Sequence, residues 1–347
     1  MAAQIFDETG WATQLFTFQE ENPEFNTISG EHLKNMLSDL STAEFALGLY
    51  FDGIVDRDLQ TVYQLKPQII LRTDEPHRFL TESPAELASV AAQQLRDRRY
   101  DRMVRRFPDR PRIVAIGDSW FQHPTETGIA DQLSKVYAVR SVPIQHNNAA
   151  QQPYWEVIQE SRADFLLVSM RLFSTIDTSN SSQTAMMGLR RKYLNANPDG
   201  FERYLKDPDG FVTNEFYHTL DVVASGWKNA FIDMQTANPS VQILIHGYDY
   251  IPSGFESKNS LWRFIKQEVQ SYSRQEQKNL FRFVIDTFNK RLKSEAAHFP
   301  NVSYIDLRNT VHPDQWLDEL HPNSAGFEQI ANKFINHITE LEAQKPV

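Results

Sequence analysis

Five short apolar runs alternate with longer amphipathic segments in the second two thirds of the chain. The runs are rich in Val, Ile and Leu at consecutive positions and cover residues 112–116, 137–142, 164–169, 241–246 and 302–307. Strands that are buried on both faces have this pattern, whereas strands with one wet face alternate. Helical spacing fills the intervals 126–136, 153–162, 214–238, 260–297 and 324–343. The alternation predicts an α/β fold with a five-stranded parallel sheet.

The first part of the chain has a different pattern. Helical apolar spacing covers 31–40 and 43–50, and Ile69-Ile70-Leu71 has the composition of a short strand. Ser83-Pro84 combines an N-cap residue with proline at the first helical position, which predicts a helix running to about Arg106. We therefore predict two domains, a mostly helical N-terminal lobe over 1–107 and an α/β domain over 108–347. The interval of about 170–240 is too long for one crossover helix and predicts a helical insertion.

Composition narrows the classes of function. The 347 residues are 41% hydrophobic and carry a net charge of −10 with a pI near 5.5, which disfavours nucleic acid and anionic membranes as partners. The absence of cysteine excludes disulfides and thiolate chemistry. No apolar stretch is long enough to predict a membrane span, and the first residues do not resemble a secretory signal. We expect a cytoplasmic protein, with non-classical export left open, and no cofactor.

Eight arginines are concentrated around the boundary between the two predicted domains: Arg96, Arg98, Arg99, Arg102, Arg105, Arg106, Arg110 and Arg112. A phosphate or other anion site is one interpretation. A solvated helix face is favoured, because aspartates are interleaved with the arginines and charge runs usually face water. A protein partner or an oligomer contact through the N-terminal lobe is left open.

A candidate nucleophile follows the first apolar run. Ser119 comes three residues after Ile116, and functional sites of parallel sheets form beyond the carboxyl ends of strands. Gly117 permits a tight exit from the strand, and Asp118 is expected to cap the turn or orient its backbone. The N–H groups of the following turn can stabilise negative charge. The alternative is an ordinary strand-to-helix loop with a capping serine.

A candidate base and its orienting acid lie before the last helix. Serine needs a base, and imidazole titrates near neutrality. Among ten histidines, His321 follows the last predicted strand and precedes the helix cap at Asn323 or Ser324. Asp318, three residues earlier, is placed to accept a hydrogen bond from the ring. The alternative is a surface pair of Asp318 and His321 in front of a helix.

Together these motifs resemble a known superfamily. Gly117-Asp118-Ser119 and Asp318-x-x-His321-Pro322 resemble the first and last sequence blocks of the SGNH/GDSL hydrolases. The continuation Trp120-Phe121 and the stretch 246–250 resemble a bacterial GDSW-type branch. The resemblance covers about residues 111–345. It implies a flavodoxin-like three-layer α/β/α fold and metal-free hydrolysis of an acyl or acetyl ester, with Ser119 as nucleophile, His321 as base and Asp318 as orienting acid.

Two other blocks of the superfamily, which supply oxyanion donors, are absent. Residues 144–150, after the second strand, contain no glycine, and residues 169–175, after the third, contain no Gly-x-Asn-Asp. Asn147, Asn148 and Arg171 are the candidate replacement donors, which predicts an atypical oxyanion hole. Loss of one donor costs about 3–4 kcal/mol of transition-state stabilisation. The alternatives are a slow or partner-dependent enzyme, or an SGNH-fold binding or scaffold protein that has lost turnover.

Four further positions complete the prediction. His246 and Asp249 end the fourth strand, where they either line a substrate pocket or are satisfied by loop backbone. His123 is expected to face solvent rather than substrate. The histidines and aspartates of 312–321 match no tight metal-ligand spacing, so we expect no metal.

Overall fold

The computed structural model describes residues 26–55, 61–72, 83–123, 127–143, 154–169, 214–250, 274–318 and 321–344. These residues fall into two compact units, one ending at Arg106 and the other starting at Phe107. No helix in the described ranges is long and apolar enough to cross a membrane.

In its described residues, the N-terminal unit combines three helices with two small sheets. Its elements are β1 (Thr27–Ser29), α1 (Gly30–Ser38), α2 (Ala43–Tyr50), β2 (Phe51–Val55), β3 (Thr61–Leu65), β4 (Ile70–Arg72) and α3 (Pro84–Arg106). β1 pairs with β4 in parallel, and β2 pairs with β3 in antiparallel fashion. The three predicted helices and the short strand near residue 70 are present. The strands β1, β2 and β3 were not predicted.

Helix α3 begins as its sequence predicts. The Ser83 hydroxyl accepts a hydrogen bond from the Glu86 N–H at 3.2 Å, and the Glu86 carboxylate accepts one from the Ser83 N–H at 2.7 Å. This reciprocal capping box satisfies two backbone donors at the helix start. Towards the other end, Arg102, Arg105 and Arg106 are exposed, in keeping with a solvated face.

The second unit alternates strands and helices. Its elements are β5 (Arg112–Gly117), α4 (Ile129–Ser134), β6 (Ala138–Pro143), α5 (Tyr154–Ser161), β7 (Phe165–Ser169), α6 (Asn214–Ala237), β8 (Gln242–His246), α7 (Arg274–Ala296), β9 (Val302–Ile305) and α8 (Ser324–Ala343). Helix α4 packs against α8, while α6 packs against α5 and α7. Of the predicted insertion around 170–240, residues 170–213 lie outside the described residues.

All five strands of this unit form one parallel sheet in the order β6-β5-β7-β8-β9, which confirms the predicted fold class. Every residue of β7 and all but the first of β5 are buried, as their continuous apolar runs predict. The strand order reverses at β5, which has β6 on one side and β7 on the other. In open parallel sheets, ligands bind outside the carboxyl ends of the strands at such a reversal. The residues after Gly117 occupy this position.

Candidate active site

The chain leaves β5 through a turn that only glycine fits. A Cβ atom on Gly117 would lie 2.4 Å from the Phe121 ring and 2.7 Å from the Ser169 Cβ. Beyond it, the N–H of Phe121 donates to the Asp118 carbonyl at 3.0 Å, which closes the turn. The turn therefore presents Ser119 at the carboxyl end of β5.

The Asp118 side chain fixes this turn from within. It is buried, and its carboxylate accepts hydrogen bonds from the Trp120 N–H at 3.1 Å and the Tyr248 hydroxyl at 3.0 Å. Asn289 of α7 in turn bonds the Tyr248 backbone on both sides, accepting from its N–H at 3.1 Å and donating to its carbonyl at 2.8 Å. The expectation that Asp118 orients neighbouring backbone is confirmed. Asn289 was not predicted, because nothing in the local helical pattern marks it.

The two residues after Ser119 anchor the turn in the core. Trp120 and Phe121 are each 1% exposed. The Trp120 ring stacks on His246 with centroids 5.7 Å apart and meets the Tyr248 and Phe327 rings edge-on at 5.0 and 6.1 Å. Buried aromatic pairs in these geometries contribute beyond their buried area. Ser119 is thus flanked by side chains that cannot shift without disturbing the core.

Ser119, His321 and Asp318 form one hydrogen-bonded chain. The Ser119 Oγ lies 2.8 Å from the His321 Nε2, and the His321 Nδ1 lies 3.0 Å from each Asp318 carboxylate oxygen. Because a carboxylate only accepts, Nδ1 carries the proton and the Nε2 lone pair accepts the Ser119 hydroxyl. Ser119 and His321 are both buried. The arrangement can withdraw the hydroxyl proton as the oxygen attacks an electrophile.

A short loop holds His321 in this orientation. Asp318 also accepts the His321 backbone N–H at 2.8 Å, and the His321 carbonyl accepts the Leu317 N–H at the same distance. Immediately afterwards Asn323 caps α8 by accepting the N–H groups of Ala325 and Gly326, as predicted for this position. The candidate base His321 is therefore held between a turn and a helix start.

Asp249 organises the loop that leads to His321. Its buried carboxylate accepts four backbone N–H groups, from Tyr250 and Asn309 at 2.6 Å, Val311 at 2.7 Å and Thr310 at 2.9 Å. Burial raises the pKa of Asp249, and these four donors oppose the rise by stabilising the carboxylate. Asn309 has a φ of 57°, a conformation that asparagine tolerates. These contacts favour the loop-backbone alternative over a substrate-lining role.

His246 lies in the core beneath Trp120. Its side chain is fully buried, and the Nδ1 lies 2.7 Å from the Gly247 carbonyl. Its Nε2 has no hydrogen-bond partner among the described residues, and neither has the hydroxyl of Ser169, its register neighbour on β7. Burial lowers the pKa of His246 and keeps the ring neutral. This environment favours a packing role for His246 over the substrate-lining alternative.

The expectation that His123 faces solvent is wrong. Its ring is partly buried, with its centroid 4.9 Å from that of His321 and 6.2 Å from that of Phe327. The pKa of His123 is lowered to about 3, chiefly by burial and in addition by the neighbouring His321, while Asp318 opposes both effects. Sequence spacing missed this contact because the two histidines meet only through the fold.

The remaining predicted positions do not contact Ser119, His321 or Asp318 through any described interaction, or they lie outside the described residues. Asn147, Asn148 and Arg171 lie outside the described residues, so the oxyanion donors stay a prediction. His312 pairs with Asp314 on the exposed part of its loop and not with His321. Across the described ranges, no three His, Asp or Glu side chains come together as a group that could hold a metal ion.

No family model and no curated protein sequence matches the chain. Among solved structures, it resembles an extracellular lipase from Streptomyces rimosus at a TM-score of 0.39 and 9% identity, over 65% of this chain and 99% of the lipase. A Clostridium thermocellum family 3 carbohydrate esterase follows at 0.36 and 13%, over 67% and 98%. A protein described as a GDSL-like lipase from Bacteroides ovatus matches at 0.36 and 12%, over 69% and 55%. Likeness at this level carries no argument about activity, so the function is argued from the site.

Proposed function

We propose that this protein is a serine-dependent ester hydrolase of the SGNH/GDSL type, acting on an acyl or acetyl ester. The observation that carries the proposal is the hydrogen-bonded chain from Ser119 through His321 to Asp318, with contacts of 2.8 and 3.0 Å. A nucleophile, a base and a group that orients the base are the three parts of serine catalysis, whatever fold presents them.

The reaction follows from these contacts. The Ser119 oxygen attacks the ester carbonyl carbon while His321 takes its proton at Nε2, which gives a tetrahedral oxyanion. Collapse breaks the bond to the alcohol oxygen, His321 returns the proton to that leaving group, and Ser119 carries the acyl group. Water then attacks the acyl carbon, with His321 again removing and returning a proton. The products are a carboxylic acid, an alcohol and free Ser119.

Asp318 serves this cycle through His321. It keeps the proton on Nδ1, so that Nε2 is free to accept from Ser119, and its charge stabilises the imidazolium that forms twice in each turnover. The same carboxylate bonds the His321 backbone N–H at 2.8 Å, which fixes the ring relative to its own loop. One side chain therefore sets both the tautomer and the orientation of the base.

The oxyanion hole of the proposed enzyme is atypical. Two of the superfamily's usual donors have no counterpart in the sequence. The backbone N–H of Ser119 finds no acceptor among the described residues and is a suitable first donor. Asn147, Asn148 and Arg171 are the proposed sources of the others. Each donor that these residues do not supply lowers the rate by about a hundred- to a thousand-fold.

Fluorophosphonate labelling and hydrolysis of p-nitrophenyl acetate and butyrate test the proposal. Wild-type protein is expected to label and to release p-nitrophenol, and Ser119→Ala is expected to do neither. Ser169→Ala is a matched control, because Ser169 is also a buried serine at a strand end of the same sheet. It is expected to keep both activities.

Two outcomes count against the proposal. Labelling that persists in Ser119→Ala assigns the nucleophile elsewhere. A wild-type protein that neither labels nor hydrolyses either ester supports the alternative of a binding protein on a hydrolase fold.

A further inference from the structure

His123 meets the base without competing for its nitrogens. Ser119 occupies the His321 Nε2 and Asp318 occupies its Nδ1. The contact with His123, at 4.9 Å between centroids and 59° between planes, is therefore between rings. Phe327 of α8 lies 6.2 Å from the His123 ring and backs it from the helix.

The charge state of His123 is compatible with a position beside the proposed base. Its pKa of about 3 keeps the ring neutral wherever serine catalysis operates. The titratable groups that act on His123 are His321, which gains a proton in the proposed reaction, and Asp318, which carries a negative charge. A protonated neighbour would oppose formation of imidazolium on His321, whereas a neutral aromatic ring attracts a cation. The neutral His123 ring can therefore pack on His321 whether His321 is neutral or protonated.

We propose that His123 is a positioning residue for the base, its neutral ring packing on His321 and keeping the Nε2 aimed at the Ser119 hydroxyl. The inference rests on the function proposed above and deepens it. Serine catalysis needs the base to return to the same orientation after each proton transfer, and a misplaced base lowers kcat more than substrate binding. His123 supplies a packing restraint on the ring, whereas Asp318 supplies hydrogen bonds.

Three substitutions separate this role from a structural one. His123→Phe keeps a flat neutral ring, His123→Ala removes it, and His123→Asp places a negative charge beside His321. His298→Ala is the control, because His298 is an exposed histidine on the turn after α7. The readouts are kcat and KM for p-nitrophenyl acetate against pH, together with an NMR titration of the His321 imidazole.

The expected results are distinct for each variant. His123→Ala lowers kcat about ten-fold or more with a smaller change in KM, and His123→Phe recovers kcat to within about three-fold of wild type. His123→Asp moves the NMR titration of His321 and the acid limb of kcat/KM to higher pH, because a carboxylate beside His321 favours imidazolium. His298→Ala changes none of these.

Each failure has its own signature. Equal kcat in His123→Ala and wild type overturns the inference, as does a folded His123→Asp variant in which His321 titrates as in wild type. If His123→Asp does not fold, the comparison of the Ala and Phe variants decides. A wild-type protein without turnover or labelling overturns the proposed function instead, and the NMR titration still tests the contact between the two rings.

Discussion

Among the described residues, two serine–histidine pairs lie near the carboxyl edge of the same sheet, and one of them has the hydrogen bonds that the proposed catalysis needs. Ser119 and His321 are hydrogen-bonded at 2.8 Å, and Asp318 holds the far nitrogen of the ring. Ser169 and His246 are register neighbours on β7 and β8, equally buried, yet neither the hydroxyl nor the Nε2 has a partner among the described residues. Residue type and burial are the same in both pairs.

The difference lies in what holds each histidine. His321 sits on a loop whose carboxylate bonds both its ring and its backbone N–H. His246 is the last residue of a strand, and its Nδ1 contacts the carbonyl of the next residue. A strand fixes the direction of its side chains by its pleat, whereas a loop can place an imidazole opposite a chosen hydroxyl. The orienting acid and its loop are therefore what distinguishes the proposed catalytic pair from the pair of Ser169 and His246.

The largest expected effect is the difference in kcat between variants of His321 and of His246. His321→Ala removes the base and is expected to lower kcat by about 10⁴- to 10⁶-fold, as losses of a triad member do. His246→Phe keeps an aromatic ring beneath Trp120 and is expected to retain kcat within about ten-fold. Steady-state hydrolysis of p-nitrophenyl acetate measures both. Comparable losses in the two variants would erase the distinction between the pairs.

A smaller effect isolates the orienting acid. Asp318→Asn keeps the size of the side chain but can no longer hold the proton on Nδ1 by charge, so kcat is expected to fall by about 10²- to 10⁴-fold. Asp314→Asn, on the exposed part of the same loop and paired with His312, is the matched control and is expected to change kcat little. The idea fails if Asp318→Asn hydrolyses ester at the wild-type rate.

Stability should depend on pH through the buried histidines. The folded-state pKa values of His123 and His246 lie below the ordinary value of 6.5, so the unfolded chain binds more protons as the pH drops below 6.5. The stabilisation is complete above pH 6.5 and is lost as the pH falls towards the folded pKa values. For His123, with a pKa of about 3, the loss between pH 7 and pH 5 is about 1–2 kcal/mol.

Urea unfolding at several pH values measures this loss. The variants His123→Phe and His246→Phe are each expected to lose less stability than wild type over the same interval. A wild-type free energy of unfolding that stays constant from pH 7 to pH 5 would show that neither ring is held neutral by the fold.

The smallest expected effect concerns the contact that holds the turn carrying Ser119. Tyr248→Phe removes the hydroxyl that donates to Asp118 at 3.0 Å and leaves part of a buried carboxylate unpaired, at a cost of about 1–3 kcal/mol of stability. A few-fold loss of kcat is expected as Ser119 loses its alignment. Tyr250→Phe, which breaks a hydroxyl bond to Asp286 instead, is the control. If both variants lower kcat equally, the Asp118 contact has no special role.

Local patterns predicted much of this molecule. The five sheet strands were located to within a residue or two because their apolar runs are continuous. β2 and β3 were missed because Asp52 and Gly53 interrupt the apolar run of β2, and most residues of both strands are only half-buried. A fully buried strand gives a continuous apolar run in the sequence, whereas a half-buried strand gives no clear pattern.

The site divides in the same way. Ser119, Asp318 and His321 were chosen as candidates because strand ends and helix starts carry local signals, and the structure brings the three side chains within hydrogen-bond distance. The partners that support them, Asn289 and Tyr248, lie far along the chain, and the contact of His123 with His321 was mispredicted. Such contacts depend on how the sheet brings its loops together, and a local sequence pattern does not show this.

Peptide mapping by mass spectrometry, after reaction of the wild-type protein with a fluorophosphonate, tests the central claim most directly. The account predicts a single phosphonyl adduct on Ser119, none on Ser169, and no adduct formation in His321→Ala on the same time scale. An adduct on another residue, or an unmodified Ser119 in protein that hydrolyses ester, would contradict it.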